Sequence, residues 1–400
     1  MKICILSQAP KCYSTRRIHE AAIARGHQAR VCDTARVSII LEHGRPSLLY
    51  RGKPLEPTDA VIPRIGASIT FFGTAVVRQF EHMGIFCLNC AGSIVDARDK
   101  LRTMQSLSRH DIDIPSTALV RSNKDVLKAI EIVGGAPVVL KLIQGTQGVG
   151  VILAESNKAA EATIQTLRSA RQNVLIQKFV SESKGRDVRA FVVGDRVVAA
   201  MRRVAQDQEF RSNVHRGGKA EPVNLDQVYI ATALKAAHVL GLHVAGVDML
   251  ESREGPKVAE VNCSPGLQGI ETATGVDVAG AIIEYLEAQA DFPDDAAQVA
   301  PDDYDLVEFI VANESALTGE TVGGSKLEGR GVTVLRMDRE GVASVRPERT
   351  SVIQAGDKLL CFGRAQELHA LGMGHNVVRT EDLARMTWAQ RNISDRGKTE

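Results

Sequence analysis

The chain has 400 residues, of which 44% are hydrophobic and 24% are charged, and its formal net charge is +1 at pH 7. This length exceeds what one compact core usually holds, so several folded units are expected. The balanced charge argues against a general nucleic-acid-binding protein, and no apolar run reaches the roughly 18 residues needed to cross a membrane. The seven scattered cysteines form no disulfide framework, so we expect a cytoplasmic protein.

The N-terminal segment alternates short apolar stretches with an amphipathic one. Lys2–Ser7 and Gln28–Cys32 are predicted strands, and Arg16–Arg25 is a predicted helix that Gly26 ends. This alternation predicts a parallel α/β unit. The turn after the first strand lacks the glycine-rich fingerprint of dinucleotide-binding proteins, so we do not expect this unit to bind NAD.

Two cysteines, Cys87 and Cys90, stand close together near the end of this segment. Their spacing occurs in zinc and redox sites, but the sequence offers no second pair of this kind and no neighbouring histidine cluster to complete one. We therefore interpret both residues as buried thiols that serve packing.

From about Gly92 to Glu287, predicted helices and strands alternate again. The predicted elements are helices over Ala97–Arg109 and Lys124–Val133, strands over Ala136–Ile143 and Asn173–Val180, a hairpin that turns at Gly194 and Asp195, and two alternating runs, Val244–Glu251 and Pro256–Val261. The last two runs flank a short turn, so they should pair antiparallel with matched faces.

Three oxygen-bearing side chains should meet on this last pair of strands. Glu260 and Asn262 are two residues apart, so their side chains leave the same face of one strand, and Asp248 lies on its partner. Such oxygen donors suit Mg²⁺ bound to phosphate. A face open to solvent is the alternative, although a carboxylate between apolar residues is costly to bury unless it is paired or metal-bound.

A lysine, Lys141, stands inside an apolar strand and precedes a glycine-rich segment, Gln144–Gly150. A phosphate contact or an ion pair explains such a lysine most simply, and the glycine segment either folds over phosphates or is a plain turn. Basic residues follow within eighteen positions: Arg202, Arg203, Arg211, Arg216 and Lys219. They suit phosphates and carboxylates, or they form a solvated basic loop.

Several specific motifs follow one another over the first 290 residues or so. They are Ile62–Gly73, Asp99–Leu101, Lys141 with Gly145–Gly150, Asp187–Arg189, Phe210–Asn213, His215–Gly218, Gly246–Asp248 and Glu260–Leu267. In this order they resemble the ATP-grasp superfamily, and more closely the RimK family of ligases, which add glutamate to the C-terminus of the sixth protein of the small ribosomal subunit. The resemblance implies an α/β chain with an ATP-grasp fold behind an N-terminal parallel α/β domain.

The same resemblance implies that the chain binds ATP and two Mg²⁺ or Mn²⁺ ions. Lys100 and Lys141 would hold phosphates. The strand that contacts adenine would comprise Gln177, Lys178, Phe179 and Val180, with Asp187 at the ribose and Arg211, Ser212 and Asn213 at the phosphate end. The metal ligands would be Asp248, Glu260 and Asn262, and the groups that neutralise the reacting phosphate would be Arg203, Arg211 and Arg216. Lys178 departs from the family, which usually has an acidic residue there.

Beyond an acidic, proline-containing stretch, a second resemblance begins. The motifs are Glu308–Val311, Leu317–Val322, Gly331–Arg336 and Ile353–Gly363. They resemble the C-terminal domain of TrkA-type potassium-transport regulators, which implies a small α+β domain that binds an unidentified small ligand. Such domains commonly pair with copies of themselves, so a homo-oligomer is expected.

The sequence as a whole therefore predicts five segments. They are an N-terminal α/β domain over 1–95, an ATP-grasp domain over 96–290, a linker over 291–303, a TrkA-C-like domain over 304–373 and a polar tail over 374–400.

Three functions remain open on this basis. The first is the addition of glutamate to the C-terminus of an acceptor protein, most closely a ribosomal protein, through an acyl phosphate. The second is the addition of an amino acid to a small-molecule or carrier-bound acceptor by the same chemistry. The third is a ligand-gated transport regulator, which the ligase motifs and the missing dinucleotide fingerprint disfavour. Basic groups in Ile62–Gly73 and Arg211–Gly218 suit a substrate with two carboxylates, which favours glutamate.

Overall fold

The computed structural model describes residues 1–43, 46–143, 150–205 and 218–290 and, further on, 304–313, 315–324, 327, 331–339, 342–345, 347–348, 350–364, 367–368 and 377–379. The chain divides into two units, Met1–Phe292 and Pro293–Glu400. The predicted linker 291–303 lies outside the described residues. Within the described ranges, no helix is both long and apolar enough to span a membrane.

The first unit begins with a parallel sheet. Its elements, together with those of a small neighbouring sheet, are β1 (Lys2–Leu6), α1 (Tyr13–Ala24), β2 (Gln28–Cys32), β3 (Val37–Ile40), β4 (Ser47–Tyr50), β5 (Lys53–Pro54), β6 (Ala60–Pro63), α2 (Thr70–His82) and β7 (Phe86–Cys87). The strand order β2-β1-β6-β7 is parallel throughout, which confirms the predicted α/β unit. Helix α1 begins before the predicted Arg16, and Gly26 ends it with a φ of 84°.

A second sheet follows, and its strands are antiparallel. The elements are α3 (Ala91–Arg98), α4 (Lys100–Arg109), β8 (Thr117–Leu119), α5 (Val126–Ile132), β9 (Val138–Leu142), β10 (Val151–Ala154), α6 (Asn157–Ser169) and β11 (Val174–Lys178), with strand order β10-β9-β11-β8. The predicted continuous helix over Ala97–Arg109 is wrong. Asp99 is extended, and its carboxylate accepts hydrogen bonds from the first backbone N–H groups of α4, so a new helix begins after it.

A third sheet completes the first unit. Its elements are β12 (Arg186–Val193), β13 (Arg196–Val204), β14 (Lys219–Pro222), α7 (Gln227–Val239), β15 (Val244–Ser252), β16 (Gly255–Asn262), α8 (Gln268–Thr274) and α9 (Val278–Ala290), with the antiparallel order β14-β13-β12-β15-β16. The predicted hairpin at Gly194 and the predicted β15–β16 pair are both confirmed. The register of that pair shifts between Asp248 and Met249.

The N-terminal segment shares its hydrophobic core with the third sheet. One buried cluster contains Leu6 and Phe80 beside Val188 and Val247, and a second contains residues of β1, α1, β12 and α9. The second sheet has a cluster of its own around Leu140. The apolar contacts therefore join the first and third sheets directly.

A single side chain reinforces this junction. Asn89 is 3% exposed, and its amide group donates to the carbonyl oxygens of Val244 and Cys263 at 2.8 and 2.9 Å. Its carbonyl oxygen accepts from the backbone N–H groups of His243 and Val244 at 2.9 and 3.0 Å. Asn89 thus uses its full hydrogen-bonding capacity to join the segment after β7 to the third sheet.

The two neighbouring cysteines occupy different environments. Cys87 is buried, and burial raises the pKa of its thiol, as expected of a packing residue. Cys90 is exposed, which contradicts the predicted burial. Its sulfur accepts a hydrogen bond from the backbone N–H of Ser93 at 3.4 Å and so caps the start of α3.

The second unit contains an antiparallel five-stranded sheet among its described residues. Its strands are β17 (Tyr304–Ile310), β18 (Thr333–Arg339), β19 (Val342–Val345), β20 (Lys358–Arg364) and β21 (Val377–Arg379), in the order β19-β18-β20-β17-β21. The buried cluster includes Val307, Phe309, Leu359 and Cys361. Strand β21 falls inside the predicted polar tail, because the backbone of 377–379 pairs with β17.

Candidate active site

One face of the third sheet carries a row of charged side chains. The register places Arg203 of β13 opposite Asp187 of β12, and Arg189 of β12 opposite Asp248 of β15. Glu260 of β16 lies opposite Asp248 on the other side. Because alternate residues of a strand leave the same face, Asp187 and Arg189 project together. The row therefore crosses four neighbouring strands.

Asp248 is the buried centre of this row, with 4% of its surface exposed. Arg189 donates to its two carboxylate oxygens, each at 2.6 Å, and Arg203 approaches one of them at 2.9 Å. Burial by itself would raise the pKa of Asp248, but the two guanidinium groups lower it to about 2. Asp248 is therefore ionised at neutral pH.

Arg203 joins two carboxylates of the row. Its guanidinium group donates to Asp187 at 2.7 and 2.5 Å and also contacts Asp248. Burial disfavours the cation, yet the two carboxylates raise the pKa of Arg203 above its ordinary value. A direct contact between Arg203 and a phosphate would thus require it to release one of these acids. Asp187, expected at the ribose, is only 8% exposed.

Glu260 and Asn262 are the accessible members of the predicted metal site. Glu260 is exposed and makes no hydrogen bond within the part of the chain that the structure describes. The amide nitrogen of Asn262 donates to Gly246 at 3.3 Å and to Asp248 at 3.4 Å, so its carbonyl oxygen is left for another partner. An open carboxylate, an amide oxygen and a second carboxylate match the hard oxygen ligands of Mg²⁺.

Two lysines lie near the open carboxylate. Lys141 stands on β9 of the second sheet, and Lys100 opens α4, where its ammonium group donates to the carbonyl oxygen of Leu142 at 3.0 Å. Burial lowers the pKa of both ammonium groups, and the charge of Glu260 opposes that shift in each case. Both predicted phosphate ligands therefore lie within electrostatic reach of the predicted metal ligand.

The predicted adenine-binding stretch joins the second and third sheets, since it connects β11 to β12. Gln177 is buried and donates to the hydroxyl of Thr117 at 2.9 Å. Val180 is buried, Phe179 is half-buried, and Lys178 is exposed. The departure from the family at Lys178 therefore places a solvated ammonium group where an acid is usual.

Four predicted site residues lie outside the described residues, as does most of the glycine-rich segment. They are Arg211, Ser212, Asn213 and Arg216. Conversely, Arg189 belongs to the charged row, although the family resemblance assigned a role only to Asp187 within the motif Asp187–Arg189. A signal was available, because Arg189 lies two residues after Asp187 on a strand and a buried Asp248 requires a basic partner.

Comparisons with known proteins identify three domain families along the chain. The RimK PreATP-grasp domain matches residues 1–94, the RimK-like ATP-grasp domain matches 97–286 and the TrkA-C domain matches 306–372. A protein from Rhodopirellula baltica named "Probable alpha-L-glutamate ligase" is 55% identical over 374 residues, which cover 93% of this chain and 92% of that protein. The match therefore extends from the first unit into the second.

Two further relatives correspond to about the first unit alone. A "Probable alpha-L-glutamate ligase" from Thioalkalivibrio sulfidiphilus is 56% identical over 290 residues, covering 72% of this chain and 96% of that protein. The crystal structure of a RimK domain protein ATP-grasp from Sphaerobacter thermophilus is 25% identical with a TM-score of 0.54, covering 71% of this chain and 99% of that one. By its identity to full-length relatives and its two RimK domains, the chain belongs to the RimK-like ATP-grasp family of ATP-dependent ligases.

Proposed function

We propose that this ligase joins L-glutamate to the C-terminal carboxylate of an acceptor protein, with a protein of the small ribosomal subunit as the first candidate. The observation that carries the proposal is the proximity of Lys100 and Lys141 to Glu260, beside a buried and ionised Asp248. The choice of glutamate is supported by relatives at 55 and 56% identity that are named as probable alpha-L-glutamate ligases.

The proposed reaction has two steps. A carboxylate oxygen of the acceptor attacks the γ-phosphorus of ATP, so that ADP leaves and an acyl phosphate forms. The amine of glutamate then attacks the acyl carbon, phosphate leaves and the amine loses a proton. In both steps negative charge is concentrated around the reacting phosphate group, and Lys100 and Lys141 neutralise part of this charge. Such chemistry depends on positioning and charge, so no protein nucleophile is required.

Divalent metal, when bound, would withdraw charge from the phosphate oxygens. Glu260 and Asn262 would provide accessible oxygens for Mg²⁺ or Mn²⁺. Asp248 would contribute the lone pairs that Arg189 and Arg203 leave free, and these arginines would fix its orientation. The proposed number of two ions rests on the family resemblance.

The proposed nucleotide contacts extend from this charged region along the link between the second and third sheets. The backbone of 177–180 would face adenine, and Asp187 would accept hydrogen bonds from the ribose with the lone pairs that Arg203 does not use. Arg211, Ser212 and Asn213 are proposed to contact the phosphate end. The guanidinium groups of Arg211 and Arg216 would add charge at the reacting phosphate.

The test is ligation itself. The protein is incubated with ATP, Mg²⁺, glutamate and a peptide that ends like the candidate ribosomal protein, and intact mass reports each added glutamyl residue. We expect the free peptide to be extended and a C-terminally amidated copy to stay unchanged. Glu260→Gln should abolish extension. Glu254→Gln is the matched control, because Glu254 is exposed and pairs only with Lys257 among the described residues.

Other outcomes would redirect or reject the proposal. Glutamate-dependent ADP release with a small or carrier-bound acceptor, but not with protein C-termini, would establish the second function. A preference for lysine or for a neutral amino acid would reject glutamate as the substrate. Normal extension by Glu260→Gln would reject the metal site.

For the second unit, we propose a small-ligand sensor that also pairs subunits. Its support is the TrkA-C match over 306–372 and the existence of relatives that correspond to about the first unit alone. Truncation after Gln289 should leave an active ligase that no longer responds to ligand, since a ligand shifts an equilibrium only through differential affinity. Nucleotides and cyclic dinucleotides are screened by melting temperature and rate, with light scattering for assembly. If no compound affects the full-length protein, the domain serves assembly only.

A further inference from the structure

Two arginines lie at the carboxyl edge of the parallel sheet, and neither has an acidic partner among the described residues. Arg64 follows β6, and its backbone N–H donates to the carbonyl oxygen of Leu6 at 2.8 Å. Arg98 is the last residue of α3, and its guanidinium group donates to the carbonyl oxygen of Ile65. Both arginines are thereby fixed to the same turn after β6.

The environment of Arg64 is unusual for a half-buried cation. Burial lowers the pKa of its guanidinium group to about 10, the thiols of Cys12 and Cys263 oppose that shift, and Arg98 adds to it. Buried arginines are ordinarily paired with acids, as Arg203 is in this chain. Within the described ranges no carboxylate faces Arg64, so an anion from outside can supply the missing charge.

Two buried polar atoms in the same region also lack a partner in the described part of the chain. They are Nε of Arg98 and Oγ of Ser264. Ser264 directly follows Cys263, one of the two thiols near Arg64. Buried polar atoms are nearly always hydrogen-bonded in folded proteins, so a bound group or an ordered water is expected beside each of these atoms.

The loop that carries Ser264 connects this region to the candidate metal site. Ser264 lies two residues after Asn262, the last residue of β16. Farther along the loop, the backbone N–H of Leu267 donates to the hydroxyl of Ser14 in α1 at 2.9 Å. Together with the bond from Asn89 to this loop, that contact holds the loop against the N-terminal segment. The carboxyl edge of a parallel sheet is a common position for ligands.

We propose that Arg64, Arg98 and Ser264 form a binding subsite for a substrate carboxylate, an inference that rests on the proposed function. Guanidinium groups bind carboxylates through paired hydrogen bonds, and the serine hydroxyl can donate another. Glutamate that reacts through its amine keeps two free carboxylates, and each needs a counter-charge. An acceptor that ends in glutamate brings a side-chain carboxylate of the same kind. The location beside Asn262 places the subsite next to the proposed reaction centre.

Steady-state kinetics of Arg64→Met, Arg64→Lys and Ser264→Ala test the subsite. Arg64→Met should raise KM for one of the two carboxylate substrates by about 10- to 100-fold, the effect of losing a charge-assisted contact, and leave KM for ATP unchanged. Arg64→Lys should recover part of that loss. The matched control is Arg78→Met, on an exposed position of α2. If only KM for glutamate rises, the amino acid is the ligand of the subsite. If only KM for the peptide rises, the acceptor is the ligand.

A specificity ratio separates binding from a structural role. If the side-chain carboxylate of glutamate is the ligand, Arg64→Met should reduce the preference for glutamate over glutamine in kcat/KM, which mere loss of folded protein would leave unchanged. If the α-carboxylate is the ligand, which glutamine shares, Arg64→Met should raise KM for both amino acids alike. The subsite would be overturned if only kcat or only KM for ATP changes, or if KM for glutamate and KM for the peptide both stay the same. If Arg64→Met does not fold, Ser264→Ala tests the same subsite and should raise KM for the same carboxylate substrate by about 3- to 10-fold. This change removes only a hydroxyl that has no partner among the described residues.

Calorimetric titration distinguishes failure of the subsite from failure of the proposed ligation. Glutamate and the acceptor peptide are each titrated into the full-length protein with a non-hydrolysable ATP analogue. Binding to the wild type that Arg64→Met weakens would support the subsite even if no glutamyl product forms. The subsite would be overturned if neither glutamate nor the peptide binds the wild type, or if both compounds bind the wild type and Arg64→Met equally.

Discussion

Replacing Asp248 by asparagine should destabilise the first unit, whereas replacing Glu260 by glutamine should not. The two residues are direct neighbours on paired strands, and each change removes one negative charge. Asp248 is buried and accepts hydrogen bonds from Arg189 and Arg203, so asparagine leaves two guanidinium groups short of a counter-charge. Glu260 is exposed and has no hydrogen-bonding partner within the described ranges.

The size of the difference follows from the environment of Asp248. The fold lowers the pKa of Asp248 from 3.8 to about 2, which corresponds to roughly 2 kcal/mol. Removing one partner of a buried ion pair costs about 3–5 kcal/mol, because the remaining charge is left uncompensated. At about 2–4 °C per kcal/mol, Asp248→Asn should lower the melting temperature by roughly 6–20 °C. The exposed change at Glu260 should shift it by about 2 °C or less.

Thermal unfolding followed by circular dichroism, at pH 7 without ATP or Mg²⁺, measures both effects without contributions from ligand binding. Because the folded pKa of Asp248 is below the unfolded one, its contribution is fully present above the unfolded pKa and is lost as pH falls through about 2. The melting temperatures of the wild type and Asp248→Asn should therefore approach each other as the pH is lowered toward about 2. Equal melting temperatures at pH 7, or an equally large loss in Glu260→Gln, would refute the reasoning.

Three further changes test other parts of the first unit. Lys141→Met should reduce ATP turnover by more than about 100-fold without lowering the melting temperature, since burial disfavours its ammonium group; normal ADP release would contradict the phosphate contact. Cys87→Ser combined with Cys90→Ser should retain turnover, and a folded but inactive protein would support a metal or redox role instead. Asn89→Leu should destabilise the unit by about 3 kcal/mol or more, because three buried backbone hydrogen bonds and one partly buried one lose their partner; a loss of less than about 1 kcal/mol in the free energy of unfolding would contradict this.

The strands of the candidate metal site could be predicted because their pattern is local. Two alternating runs around a short turn determine both pairing and side-chain direction, so Glu260 and Asn262 could be placed on one face beside Asp248. Local pattern places Arg189 on the same face as Asp187, but it does not reveal the ion pair of Arg189 with Asp248. Its partnership with Asp248 depends on the pairing of β12 with β15, which are far apart in the sequence, and periodicity within each strand does not reveal such a neighbour.

Other differences have local causes. The apolar pattern continues through Asp99, so it did not reveal that this carboxylate ends one helix and starts another. The exposed position of Cys90 follows from its place before α3, which pattern alone did not locate. Arg64 is the basic residue of the motif Ile62–Gly73, which favours a substrate with two carboxylates, but the sequence does not show what Arg64 contacts. Its lack of an acidic partner among the described residues depends on the fold, which brings together helix α3, the turn that follows β6 and the loop that follows β16.

The four hydrogen bonds of Asn89 determine where related proteins could exchange parts. A third sheet without Asn89 would leave four main-chain groups of His243, Val244 and Cys263 without their hydrogen-bonding partner. A break in the chain before residue 89 would also divide the cluster that contains Phe80 and Val247. Chimaeras with crossovers near this point should misfold unless both parents supply matching surfaces. A crossover after the first unit removes none of these contacts. Inheritance of the N-terminal segment is thus tied to the third sheet, while the C-terminal unit remains free to be gained or lost.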